Sequence, residues 1–370
     1  MIASTLIPKA DAERQRETGH RAEGAGPGPA GFITRNELWA ALETVLSAYY
    51  GAPRRIERLR RRISSYASSC PICNLEVELI GGLRLELVFK NLSPDAELAA
   101  AQNVRPGFLY SPMREIDTYR TLLQGQGLGT ATCYGAFVCA ERRQYWLFLE
   151  RVSGPLLWQR GRLDSWKQAA RWLGCLQTAV GADPPSSHPA AWNHLLRHDE
   201  AFFLQWLTRA ERFLRSVPTS HPKPARRRFG RVAERYETVI QRLLQLPAAF
   251  THGEFYPSNI LLRAVENGTQ ICPIDWELAA LGPATMDLAA LAAGNWEESE
   301  KRSLVTAYRE TLETGSGRAP SVSDLMEALA LCQLHLAVQM LGWAADWSPP
   351  EHQAWNWLDT ACRLSERITF

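Results

Sequence analysis

The sequence predicts an α+β protein in two parts: a sheet-rich N-terminal part of about 150 residues, then a longer and mainly helical part. Three observations carry this. The stretches NLEVELI (74–80) and LRLELVFK (83–90) alternate apolar and polar residues and flank Gly81-Gly82, as a hairpin does. Beyond Gly154, Leu, Trp and Phe recur at helical spacing over long segments. At 370 residues, 46% of them apolar and 22% charged, the chain can build the core that two such parts require.

Taken in order, residues 1–30 contain AEGAGPGPAG and few large apolar side chains. They bury too little to offset the entropy of ordering and are expected to form a flexible arm. From Asn36, ELWAALETVLSAYYG sets Leu38, Leu42 and Leu46 on one face and stops at Gly51, an amphipathic helix. IERLRRRISSY (56–66) alternates in part and joins the hairpin in an antiparallel sheet. Lys90 closes the hairpin's second strand on the side of Glu86 and Val88, and the pattern leaves its exposure open. MREIDTYRTLLQGQG (113–127) reads as a helix with Ile116, Tyr119, Leu122 and Leu123 as its stripe and Glu115 in its first turns.

Strands follow around 131–139 and 145–152, the second being YWLFLERV. Helices are expected over 164–180, 191–217, 226–246, 286–293, 297–314 and 321–342. A tail with Trp343, Trp347, Trp355 and Trp357 ends the chain, its indoles expected to pack rather than to stack on a ligand. The division is thus an arm at 1–30, a sheet-rich unit at 31–152 and a helical unit at 153–370.

Bulk properties narrow the partners. A net charge of +2 gives no global attraction to polyanions, and the arginine runs 54–62 and 226–228 read as solvated faces, so no nucleic-acid partner is expected. Cys70 and Cys73 form a CxxC without a second pair, and Cys133, Cys139, Cys175, Cys272, Cys332 and Cys362 look like small core residues. That usage suits a reducing, cytoplasmic setting. No apolar run reaches the ~18 residues of a membrane span, so a soluble chain without membrane contact is expected.

The chemistry-bearing stretches are AFTHGEFYPSNILL (249–262) and ICPIDWE (271–277). The first sets His252, Gly253, Glu254 and Asn259 in a turn between apolar runs; the second ends a strand at Asp275. A carboxylate, an amide five residues on and a second carboxylate roughly fifteen later is a layout that positions a hydroxyl and holds magnesium on ATP.

These residues resemble the aminoglycoside phosphotransferase/choline kinase family, relatives of the protein kinases. HGEFYPSNILL is similar to that family's catalytic loop, PIDWE to its metal-binding segment and GPATMDLAAL (282–291) to the continuation. Upstream, VFK resembles the lysine strand, REIDTYRTL the glutamate-bearing helix and FLERVSG the hinge, all in the right order. The resemblance implies a bilobal protein-kinase-like fold. It also implies ATP- and Mg²⁺-dependent transfer of phosphate to a hydroxyl of a small molecule such as a sugar, an amino alcohol or a natural product.

The roles it implies are specific. Glu254 would act as base or orienter of the acceptor hydroxyl, and His252 would support the loop. Asn259 and Asp275 would offer oxygen ligands to Mg²⁺, and Glu277 could hold a second ion. Lys90 would contact the α/β-phosphates, oriented by Glu115, while the backbone of Glu150 and Val152 would meet the adenine edge. Asp287 is expected to brace the loop through backbone N–H groups.

Two departures from the family pattern stand out. Glu254 takes the place of the usual aspartate, and the phosphate-covering loop SSYASSCP (64–71) has no glycine. They leave two other readings open: a pseudokinase that binds nucleotide with little turnover, and transfer of AMP in place of phosphate.

Overall fold

The structure is a computed structural model of the 370-residue chain, describing residues 33–64, 69–181, 189–216, 223–266, 268–344, 346 and 351–368. The arm expected over 1–30 and residues 65–68 of the glycine-free loop lie outside the described residues. In chain order the helices are α1 (Arg35–Tyr50), α2 (Ala99–Val104), α3 (Pro112–Asp117), α4 (Leu157–Arg160), α5 (Leu163–Val180), α6 (Pro189–Trp192), α7 (Glu200–Ser216), α8 (Lys223–Gln245), α9 (Met286–Leu291), α10 (Glu298–Ser316), α11 (Val322–Trp343) and α12 (Glu351–Arg367). The strands are β1 (Ile56–Ile63), β2 (Ile72–Leu79), β3 (Arg84–Asn91), β4 (Cys133–Cys139), β5 (Gln144–Glu150), β6 (Leu196–Arg197), β7 (Ala248–Thr251), β8 (Ile260–Val265), β9 (Gly268–Pro273) and β10 (Ala280–Pro283).

The chain divides into two compact units. One takes the residues up to Asn103 together with Ala131–Val152, the other Val104–Thr130 together with Ser153–Phe370. The division read from sequence put everything from 31 to 152 in one unit; the structure assigns 104–130, with Glu115, to the helical one. Arg114 explains the difference. Its guanidinium donates to the carbonyls of His194 at 2.8 Å, Leu109 at 2.7 Å and Glu277 at 2.7 Å, tying α3 to segments far along the chain.

The first unit is an antiparallel five-stranded sheet in the order β1-β2-β3-β5-β4. In β2, Cys73, Leu75, Val77 and Leu79 are buried in strict alternation; Cys73, Leu75 and Val77 pair in register with Phe89, Leu87 and Leu85 across β3, and the Leu79 N–H donates to the Leu83 carbonyl at 2.8 Å. Helix α1 lays Leu38, Leu42 and Leu46 on that face, forming one core with Phe89, Trp146 and Phe148. Each such side chain contributes about 1.5–3 kcal/mol by leaving water. Thr34 and Glu37 form a capping box at the helix start, and Gly51 at φ 64° closes it.

The second unit is mainly helical, with a three-stranded sheet β6-β10-β7 and a two-stranded ribbon β8-β9. Three sequence expectations change here. The helix expected over 113–127 is α3 followed by a π-helical turn at Thr118–Leu122, marked by the Leu123 N–H donating to the Thr118 carbonyl at 3.0 Å. The helix expected over 191–217 is broken: α6 and β6 precede α7, because Asp199 caps a new start by accepting from the Phe202 N–H at 2.9 Å. In the tryptophan tail, Trp343 ends α11, and Trp355 and Trp357 lie on a further helix, α12. Trp343 meets the Trp206 ring at 5.2 Å, whereas Trp347 lies outside the described residues.

Two further readings are corrected. Helix α11 is long and apolar enough, by length and composition, to cross a bilayer; 83% of that window is buried inside the protein, as in a core helix. Cys175, read as a core residue, is exposed on α5, whereas Cys272, Cys332 and Cys362 are buried.

Candidate active site

The loop after β7 is held by one carboxylate. The Asp287 side chain, in the first turn of α9, accepts from the His252 N–H at 2.6 Å and from the Gly253 N–H at 3.0 Å. Burial pushes the Asp287 carboxyl up to about 7, against the pull of those two donors. Gly253 is required at its position: φ is 84°, and a Cβ there would stand 2.0 Å from the Leu278 carbonyl oxygen.

His252 is fully buried with both ring nitrogens engaged. Nε2–H donates to the Ile274 carbonyl at 3.0 Å, and Nδ1 accepts from the Glu254 N–H at 3.3 Å. The second contact fixes the tautomer, because an acceptor at Nδ1 places the proton on Nε2. With both nitrogens on backbone groups, the imidazole ties together the backbone on either side of the loop. Trp276 packs on its ring at 4.3 Å and stacks on Phe250 at 5.7 Å, so the imidazole sits in an aromatic wall.

Three residues picked from the sequence come together at one end of the β8-β9 ribbon. Register sets Ile260 opposite Pro273, and the Ile274 N–H then donates to the Asn259 carbonyl at 2.9 Å. Asp275 is the next residue, in the left-handed region at φ 70°. The Asn259 Nδ2 donates to the Glu254 carbonyl at 3.1 Å, tying the loop that carries Glu254 to the ribbon. With its nitrogen committed, the Asn259 amide offers its oxygen as the remaining acceptor.

Glu277 follows in the same turn, and its surroundings were not foreseen. Its carboxylate Oε2 meets the Arg105 Nη1 at 2.9 Å, and its carbonyl takes the Arg114 Nη1 at 2.7 Å. Glu115 accepts from the Trp276 N–H at 3.2 Å, so α3 contacts the segment between Asp275 and Glu277 directly. Arg105 and Arg114 are functional neighbours that sequence reasoning missed. Neither lies in a motif, and only the position of Arg114 beside Glu115 offered a signal.

In the first unit, Lys90 lies on β3 between Ile72 of β2 and Leu147 of β5, and at 6% exposure it is buried. A lysine in the interior of a sheet requires a compensating partner, unlike one on a solvated edge. Glu150 ends β5, its carboxylate accepting from the Thr132 N–H at 2.9 Å and hydroxyl at 3.0 Å. Two residues on, the Val152 N–H has no backbone partner among the described residues.

Among the described residues no cluster of three His, Cys, Asp or Glu side chains would hold a metal by protein alone. The donor set fits a hard cation that completes its shell with phosphate and water: one carboxylate, Asp275, and one amide oxygen, Asn259, at the same end of the β8-β9 ribbon. Beside it, Glu254 supplies a carboxylate of the kind that orients a hydroxyl.

The chain matches the family model described as the phosphotransferase enzyme family over residues 97–322. No curated protein sequence matches it at a significant level. Among solved structures, a putative aminoglycoside phosphotransferase from Ralstonia eutropha JMP134 is similar at TM-score 0.54 and 14% identity, covering 90% of this chain and 99% of that one. Choline kinase from Cryptosporidium parvum Iowa II is similar at TM-score 0.53 and 13% identity, covering 84% and 88%. The GDP complex of wild-type aminoglycoside 2'-phosphotransferase-IIIa is similar at TM-score 0.52 and 13% identity, covering 88% and 96%. At these identities the likeness is one of fold, and the fold is protein-kinase-like α+β.

Proposed function

The chain belongs to the phosphotransferase enzyme family, and from that premise we propose that it transfers the γ-phosphoryl group of ATP to a hydroxyl of a small molecule. The observation that carries the proposal is that Glu254, Asn259 and Asp275 lie on two linked segments at one end of the β8-β9 ribbon, the loop being held by Asp287 and His252. Glu254 accepts the hydroxyl proton, or orders the hydroxyl for attack, from a backbone fixed on both sides. Asn259 and Asp275 would hold Mg²⁺, which supplies charge neutralisation on the transferring phosphate. Lys90, buried on its strand, contacts the α/β-phosphates. The Glu150 carbonyl and the Val152 N–H meet the adenine edge.

The acceptor is a sugar, an amino alcohol or a natural-product hydroxyl rather than a polycation. A polycation needs several convergent carboxylates, and in the tail region Asp346 and Asp359 already pair with arginines. Asp346 takes both Arg209 at 2.6 Å and Arg212 at 3.0 Å, and Asp359 takes Arg228 at 3.0 Å. The proposed setting is cytoplasmic, where ATP is supplied.

Incubation of the purified chain with ATP or GTP, Mg²⁺ and a panel of hydroxyl metabolites, following ADP or GDP and AMP or GMP separately, tests this reading. Nucleoside diphosphate formed only with particular acceptors supports it. AMP points to transfer of the nucleotidyl group, and nucleotide binding without turnover over a broad panel identifies a pseudokinase.

A further inference from the structure

Glu277 is the family-pattern carboxylate best placed for a second divalent ion, and the structure gives it a different partner. Arg105 Nη1 lies 2.9 Å from Glu277 Oε2, with the arginine side chain 11% and the glutamate side chain 19% exposed. A charge-assisted contact this short between largely desolvated groups is about twice as strong as a neutral hydrogen bond. The guanidinium is held on its other side by the Tyr110 ring, 4.9 Å from its carbon. Arg105 is therefore seated between an aromatic face and a carboxylate.

Glu277 is also fixed from its backbone. Its carbonyl accepts from Arg114, a buried residue whose other bonds run to the Leu109 and His194 carbonyls. Two permanently charged guanidiniums thus face a single Glu277 residue. Arginine keeps its proton at any physiological pH, so neither cation can be discharged to admit a metal. A second Mg²⁺ on this carboxylate would stand a few ångströms from Arg105, and it would have to displace or repel that guanidinium. Magnesium also dehydrates reluctantly and demands near-octahedral geometry, which a carboxylate already turned onto a planar fork does not offer.

We propose that Arg105 is a resident cation in place of a second metal ion: the chain binds its nucleotide with a single divalent ion on Asn259 and Asp275, and Glu277 serves to hold Arg105. The inference rests on the proposed nucleotide-binding function. In this account Arg105 is a positioning residue. It neutralises Glu277 and stiffens the turn that carries Asp275, and the positive charge that a second ion would bring is built into the protein.

Equilibrium dialysis of the full chain with Mn²⁺ and a non-hydrolysable ATP analogue, reading manganese retained per chain, tests this. The wild type should retain about one ion per bound nucleotide, and Glu277→Gln should leave that number unchanged, since the carboxylate it removes served Arg105 and not a metal. In Arg105→Gln the freed Glu277 should raise retention toward about two. If that variant fails to fold, judged by its thermal unfolding, the wild-type and Glu277→Gln values decide the matter alone. Retention of about two ions by the wild type, or loss of an ion in Glu277→Gln, overturns the inference while leaving nucleotide binding intact. Absence of any nucleotide-dependent manganese retention overturns the proposed function, and the inference with it.

Discussion

Replacing Asp287 with alanine removes the acceptor that the His252 and Gly253 N–H groups share, at 2.6 and 3.0 Å. Both donors are then left in a buried site, and an unsatisfied buried donor costs about 1–3 kcal/mol. The two together cost about 4 kcal/mol, a large share of the roughly 5–15 kcal/mol that holds a typical domain folded. For a unit of this size the unfolding temperature should fall by about 8–16 °C. Asp287→Asn keeps one acceptor oxygen and should fall by about half as much.

The same residue predicts a pH dependence. Burial raises the folded-state value of Asp287 from 3.8 to about 7, so its contribution is fullest at low pH and is lost as pH rises through 7. The stability gap between wild type and Asp287→Ala should therefore narrow by about 3 kcal/mol between pH 5 and pH 8, at about 1.4 kcal/mol per pH unit up to the folded-state value. Urea unfolding at the two pH values measures it. A displaced loop also moves Glu254, so turnover at a permissive temperature should drop on the order of 10²-fold. An alanine variant that melts with the wild type and turns over at its rate would refute the bracing role.

Two other predictions rest on named groups. His335 is fully buried, its Nδ1 against the Tyr236 hydroxyl at 2.7 Å, and burial pushes it down to about 3. A folded value below the ordinary 6.5 means that stability is full above pH 6.5 and is lost on acidification, so wild type should lose about 2 kcal/mol more than His335→Leu between pH 7 and pH 5. Equal losses in urea unfolding would contradict that neutral burial. Glu254→Asp retracts the carboxylate by about 1 Å and should lower kcat on the order of 10²-fold at unchanged nucleotide affinity. Unchanged or faster turnover would show that the site does not depend on the longer side chain.

Much of this was legible in the sequence because local chemistry and global fold agree. Period-two alternation around Gly81-Gly82 could only bury one face, and the β2-β3 register follows from it. The HGEFYPSN turn was readable because Gly253 needs its φ of 84° and because Asn259 and Asp275 flank a strand pair. Where the reading failed, the cause lies in contacts between residues far apart in sequence. The segment 104–130 joins the helical unit through Arg114, whose carbonyl partners reach as far as Glu277. The break in 191–217 turns on Asp199 as a cap inside a run of helical periodicity. Arg105 sits in a loop where no spacing marks it as the partner of Glu277.

The most direct test of phosphoryl transfer is to follow the γ-phosphate of labelled ATP into an acceptor, with wild type and Asp275→Asn side by side. Asparagine tolerates the left-handed backbone found at φ 70°, so the variant keeps the fold and loses only the carboxylate charge. Label should appear as a phosphate ester on the acceptor with the wild type and Mg²⁺, and should be lost with Asp275→Asn. Equal labelling by both proteins would contradict the account, as would nucleotide-saturated wild type that labels no hydroxyl acceptor.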